Sequence, residues 1–163
     1  MNDNLQLTRP PRKFVPEDFK VNDFESIQKY TQELLGRDLP DLDTLKQWFR
    51  DRSELESILS EDLGWRYIRM TCHTEDTGFQ KSYEEFIEKI QPQLAPVMDQ
   101  LNRKALDAIA LPALSLVPGY DIMIRNMKKE VEIFREENIS LYTEINKLTQ
   151  KYAQISGAMT VEI

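Results

Sequence analysis

The sequence predicts an all-α fold, built as an elongated antiparallel helical bundle or as stacked helical hairpins. Three observations predict it. Apolar residues recur at spacings of three and four through most of the 163 residues, the period of a buried helix face. Glycine occurs five times, too rarely for a sheet protein full of tight turns. Charged residues make up 30 % and hydrophobic residues 40 %, which suits amphipathic helices around one core. A chain of this length can bury a core as a single domain without disulfide or metal staples.

Residues 1–21 read as an extended N-terminal arm. Pro10, Pro11 and Pro16 each remove a backbone donor and fix φ. Leu5, Leu7, Phe14, Val15 and Phe19 are left to dock on the body of the molecule. The helical lobe follows over 22–157. Asn22 or Asp23 caps its first helix, with Phe24, Ile27, Tyr30, Thr31, Leu34 and Leu35 on one face. Gly36 ends that helix as a C′ glycine, and Pro40 follows in the connection.

Asp41 or Asp43 caps the second helix. Its stripe of Leu45, Trp48, Phe49, Leu55, Ile58, Leu59, Leu63, Tyr67 and Met70 continues past Gly64 to about Thr71. Thr74–Gly78 is the next break. Phe79, Tyr83, Phe86, Ile87, Ile90, Leu94, Val97, Met98, Leu101, Ala105 and Ala108 then return to helical spacing. Pro92 and Pro96 fall inside this run, and each costs an interior helix about 3 kcal/mol. They predict a bend or break near Gln91–Ala95. Pro112 and Pro118-Gly119 frame a loop.

The final helical segment has the most regular pattern. Tyr120, Ile124, Met127, Val131, Phe134, Asn138, Leu141, Ile145, Leu148, Tyr152 and Ile155 alternate spacings of four and three, a heptad-like seam. One helix from Tyr120 to Ser156 would be about 55 Å long. Asn138 reads two ways: it fixes register in a dimeric coiled coil, or it marks a helix break with Glu136-Glu137 at its edge. Across all helices the predicted core is Trp48, Leu55, Leu59, Phe86, Ile90, Val97, Phe134, Leu141 and Leu148. Gly157 breaks the last helix, and 158–163 reads as the start of a short β-strand. The sequence holds no hairpin partner for that strand, and backbone polar groups need one. The expectation is a piece of a larger protein, with a tail that is unpaired or paired to another copy. A helical surface meant for the missing part should expose apolar area.

The residues that could carry chemistry are few. A formal charge of −7 argues against nucleic acid, and Arg9, Arg12 and Lys13 are the only early basic cluster. Cys72 is the single cysteine, so no intrachain disulfide forms and a reducing compartment fits. No secretory signal pattern opens the chain and no apolar run approaches the roughly 20 residues of a membrane span. A cytoplasmic protein, away from the membrane, is the expectation. His73 is the only histidine, whereas a zinc peptidase helix needs two, four apart. Cys72 and His73 are helix neighbours pointing about 100° apart, poorly placed as an acid–base pair. Glu84-Glu85, Glu130 with Glu132, and Glu136-Glu137 read as a solvated face, with Glu85–Lys89 a favourable i,i+4 pair. No catalytic, cofactor-binding or metal-binding residue is assigned.

Several stretches together resemble a known family. Arg66-Tyr67-Ile68-Arg69-Met70-Thr71-Cys72, then Tyr83-Glu84-Glu85-Phe86 leading to Ile90-Gln91-Pro92, resemble the N-terminal helical lobe of oligoendopeptidase F-type zinc metallopeptidases, in the thimet oligopeptidase-like family. So do 134–141 and the run from Tyr152 through Ile155-Ser156-Gly157-Ala158-Met159-Thr160-Val161, which is the most telling. The resemblance covers most of 12–163. It implies a continuation bearing a His-Glu-x-x-His helix, in which two histidines and a later glutamate hold zinc and the motif glutamate activates water. It implies, too, that this lobe helps wall a channel admitting short peptides, with the catalytic lobe as its partner. None of the zinc ligands lies in this sequence. The alternative is a free-standing helical interaction module that self-associates through the 120–155 seam, and a weaker one is a catalytically dead homologue that binds peptides.

Overall fold

The computed structural model describes residues 11–159. Its regular structure is all helix, with no strand among the described residues: α1 (Phe24–Gly36), α2 (Leu42–Cys72), α3 (Thr77–Glu85), a π-helical turn (Phe86–Ile90), α4 (Gln91–Leu106), α5 (Leu111–Leu114), α6 (Tyr120–Ile133) and α7 (Asn138–Gly157). The molecule is an all-α bundle. The expected arm residues Leu5 and Leu7, and Thr160–Ile163 of the expected strand, lie outside the described residues. Ala158 sits in a turn, and both it and Met159 are exposed.

Side-chain chemistry places most helix starts. Asp23 Oδ1 accepts from the Ser26 amide at 2.8 Å, and the Ser26 hydroxyl accepts in return from the Asp23 amide, a reciprocal cap on α1. Asp41 Oδ1 accepts from Thr44 N at 2.8 Å to open α2, and Asp76 accepts from Gly78 N to open α3. Gly36 is the last residue of α1 rather than a C′ glycine beyond it, and extended Arg37 is the cap; Gly119, at φ 90°, is the only positive-φ residue described. The last carbonyls of α1 are satisfied from elsewhere: Trp48 Nε1 donates to Leu34 O at 2.8 Å and Lys104 Nζ to Leu35 O at 2.9 Å.

The described part of the arm, from Pro11 on, packs against the helices. Val15 and Val21 are buried, and Phe14 and Phe19 pack edge-on against Tyr30 at 5.6 and 5.2 Å between ring centres. Glu54 of α2 holds the arm by accepting from the amides of Lys13, Phe14 and Val15 at 2.9, 2.9 and 2.7 Å. Arg66 ties three pieces together: it pairs with Asp62 at 2.6 Å, and donates to Val21 O of the arm at 2.6 Å and Ser82 O of α3 at 2.8 Å. The core between them is closed by Ile27 and Leu34 of α1, Leu45, Trp48 and Leu55 of α2, and Leu101 and Ala105 of α4, all fully buried.

The break expected near Gln91–Ala95 does not fall there, since that span lies inside the continuous α4; the irregularity comes just ahead of it. The chain widens for one π turn, in which the Gln91 amide donates to Phe86 O, five residues back. Pro92, which has no amide to give, then falls within the first residues of α4. Phe86, Ile87 and Ile90 are all buried in this turn, and the Glu85–Lys89 pair forms across it at 3.7 Å.

The continuous helix Tyr120–Ser156 is corrected. It divides at Phe134–Glu137, where Phe134 adopts an extended conformation (φ −62°, ψ 130°) and two short turns lead into α7. Of the two readings of Asn138, the helix break is the one realised, so the seam is no single coiled-coil surface. The charges around the break explain it. Arg135 donates to the carbonyls of Glu132 and Phe134 at 2.9 and 2.6 Å, capping the end of α6. Glu136 and Glu137 stand at the positive end of the α7 dipole. The core assignment fails in the same place. Trp48, Leu55, Leu59, Phe86 and Ile90 are buried, but Val97 and Phe134 only partly so. Leu141 and Leu148 are 54 % and 67 % exposed. With the helix broken, α7 is free to rotate its face, and it packs inward with Thr143, Asn146 and Gln150 instead.

Candidate functional site

Two features stand out at the elbow between α6 and α7: a cavity on its inner side and an apolar stripe on its outer side. The cavity is built from one face of α4, on which Gln91, Ala95, Met98, Asp99 and Asn102 share a helical side. The end of α6 closes it with Glu130, Ile133 and Phe134. The first turns of α7 add Asn138, Ile139, Tyr142 and Asn146. Its volume is about 310 Å³.

A polar relay supports its floor. Arg52 of α2 is buried and pairs with Glu56 at 2.7 Å, while its second nitrogen donates to Asn102 Oδ1 at 2.7 Å. The Asn102 amide donates onward to Glu130 Oε2 at 3.0 Å. Asp99 accepts from Arg103 Nε at 2.7 Å on one oxygen; its other oxygen is buried without a donor. That bond is the main cause holding the Arg103 pKa above its ordinary value, with the Asp99 charge adding to it. Asn146 Nδ2 reaches Gln91 Oε1 at 3.4 Å along the opposite rim.

The outer stripe consists of Leu141, Ile145, Leu148, Tyr152 and Ile155, each more than half exposed. The seam expected from the sequence is therefore present on α7 but faces out. Polar bonds hold the helix instead: Gln150, buried, donates to Glu84 Oε1 at 3.0 Å, and Lys147 pairs with Glu88 at 2.6 Å. The Glu88 hydrogen bond raises the Lys147 pKa.

The residues weighed for chemistry are scattered. Cys72 and His73 are both exposed at the end of α2, where the imidazole stacks obliquely on Phe79 at 5.4 Å. Glu84 anchors Gln80 and Gln150. Glu85 pairs with Lys89, Glu130 joins the Asn102 relay, and Glu132, Glu136 and Glu137 are exposed near the break. Among the described residues no three His, Cys, Asp or Glu side chains are grouped to hold a metal ion, and no helix is long and apolar enough to cross a membrane. The cavity itself went unmarked in the sequence, because its residues read as ordinary helix surface until the break brings α7 back toward α4. The signal available was Arg135-Glu136-Glu137, a cation then two anions, the charge order that ends one helix and starts another.

Residues 14–134 match the family described as Peptidase M3 N-terminal domain. The match ends at Phe134, the residue that closes α6, so α7 and its stripe lie beyond it. No curated protein and no solved structure matches the chain.

Proposed function

The chain belongs to the peptidase M3 N-terminal domain family, the non-catalytic lobe of a metallopeptidase, and from that premise we propose the finer role. The chain is the N-terminal lobe of a zinc-dependent oligopeptidase of the oligoendopeptidase F type, and it helps wall the channel that admits short peptides. The family match carries this reading. The outward stripe on α7 supports it, because a helix with five exposed large apolar side chains on one side suits a surface that a second lobe covers. In this reading zinc and the water-activating glutamate belong to the catalytic lobe, which is the partner of this one. Zinc held there would supply a lowered water pKa and Lewis-acid polarisation of the peptide carbonyl. This chain's own residues supply scaffold and wall. A cytoplasmic location accords with its lone exposed cysteine.

The test begins with the reading frame past the codon for Ile163. A continuation encoding His-Glu-x-x-His is expected, and a stop codon at that point would favour the free-standing module. Expressed with that continuation, the protein should cleave a quenched fluorescent peptide and lose this activity to a chelator. The 163-residue chain alone should show neither turnover nor stoichiometric zinc. Chelator-sensitive turnover by the chain alone would overturn the assignment of a non-catalytic lobe.

A further inference from the structure

We propose that the α6–α7 elbow is a two-state hinge. In one state α7 folds back on α3, the π turn and α4, as described above; in the other it swings out and continues α6 as one straight helix. The sequence of the elbow permits both. Residues 120–156 contain neither proline nor glycine, and Arg135, Glu136 and Glu137 are among the stronger helix formers. The heptad-like spacing also crosses the elbow without a slip, from Val131 and Phe134 through Asn138 to Leu141. A sharp bend encoded locally would normally carry a breaker.

The bend is held by side chains instead. Arg135 donates to the carbonyls of Glu132 and Phe134, which in a straight helix would accept from the amides of Glu136 and Asn138. Beyond the elbow, three polar ties fasten α7. Asn146 reaches Gln91 at 3.4 Å, Lys147 pairs with Glu88 at 2.6 Å and Gln150 donates to Glu84 at 3.0 Å. The side chain that α7 buries is Gln150, while Leu141, Ile145, Leu148, Tyr152 and Ile155 face out. Release therefore exposes little apolar surface, so the hydrophobic effect opposes it weakly. The Lys147–Glu88 pair is exposed on both sides and is screened by salt. In the straight form Asn138, Ile139, Tyr142 and Asn146 leave the face of α4, so the elbow cavity exists only in the bent form. The hinge thus opens and closes that cavity and swings the 20-residue α7, about 30 Å long, out from the body.

The experiment uses Cys72, the only cysteine of the chain and exposed, as the site of a nitroxide label on the isotope-labelled 163-residue protein. Gly157 lies against Thr71 and Thr74 at that end of α2, so in the bent form the label broadens the NMR signals of Ser156 and Gly157. Arg135→Ala/Lys147→Ala/Gln150→Ala removes the elbow cap and both ties to glutamates. It should shift the straight-to-bent ratio about a thousandfold, at about tenfold for each charge-assisted interaction. The broadening should be lost while carbon shifts through Phe134–Glu137 become helical. Asn138 N donates to Arg135 O, which puts Glu136 second in a turn, where proline is favoured. Proline there blocks the straight helix, so adding Glu136→Pro should restore the broadening. If the triple variant fails to fold, Gln150→Ala alone is read by relaxation dispersion, and exchange with a helical minor form is expected at Phe134–Glu137. Unchanged broadening in the folded triple variant, loss of broadening with coil shifts across α7, no recovery with proline, or no exchange in Gln150→Ala would overturn the proposal.

Discussion

α2 and α7 are the two longest helices, and both carry large apolar residues at spacings of three and four. On α2 the stripe from Leu45 through Leu59 is buried in the core shared with α1, α4 and the arm. On α7 the stripe from Leu141 through Ile155 is exposed, and the helix is fastened by amide and ionic bonds to Glu84, Gln91 and Glu88. A period shows that a helix is amphipathic; it does not show where its partner is. Burial stabilises at about 25 cal/mol per Å² only where a second apolar surface meets the first. α2 has that surface within the chain, and α7 has none among the described residues.

Truncation in the core should break this contrast most visibly. Leu55 is fully buried, so Leu55→Ala should cost about 2–5 kcal/mol in urea unfolding, from lost transfer energy plus a cavity. A loss below about 1 kcal/mol would mean that the core does not close around α2.

A second, smaller effect concerns how α2 holds the arm. Glu54→Ala removes the acceptor of three amides and should cost about 2 kcal/mol. Burial pushes the Glu54 pKa up, but the bonds from Val15, Lys13 and Phe14, helped by the Arg12 charge, outweigh it, so the pKa lies below the ordinary glutamate value. Because the folded pKa is depressed, this stabilisation is complete above the unfolded-state pKa and is lost as pH falls through the folded one. Wild-type stability should decline in that acid window, and Glu54→Gln should flatten the decline. An unchanged pH profile would remove Glu54 as the clasp.

The entry to α6 gives a third measurement. Gly119 holds φ at 90° with no atom within 4 Å of where a Cβ would sit, so its cost on substitution is purely conformational. Gly119→Ala should lose about 1 kcal/mol. A neutral result would show that the backbone there relaxes freely.

Much of the bundle is legible in the sequence because local chemistry dictates it. Asp23, Asp41, Gly36 and the Thr74–Gly78 break fall at helix limits, since caps act within one turn. Pro92 announces an irregularity, although only the structure shows a π turn just ahead of it. The family, too, is legible in the helical stretches of α2 and α3. What the sequence hides is tertiary. Arg135 and its two following glutamates divide a seam that the period alone reads as continuous. Leu141 and Leu148 look like core because their spacing carries no information about whether α4 meets that side of α7 or the side bearing Asn146. The cavity is hidden for the same reason, being lined from segments that approach only after the break.

The most direct test of the central claim, that this lobe closes its core without the α7 stripe, is the unfolding free energy of Leu141→Gln/Leu148→Gln in the isolated chain. The account predicts a change within about 0.5 kcal/mol, as for surface positions, against the severalfold larger cost at Leu55. A loss of about 2 kcal/mol or more, matching a buried leucine, would contradict it and return α7 to the core.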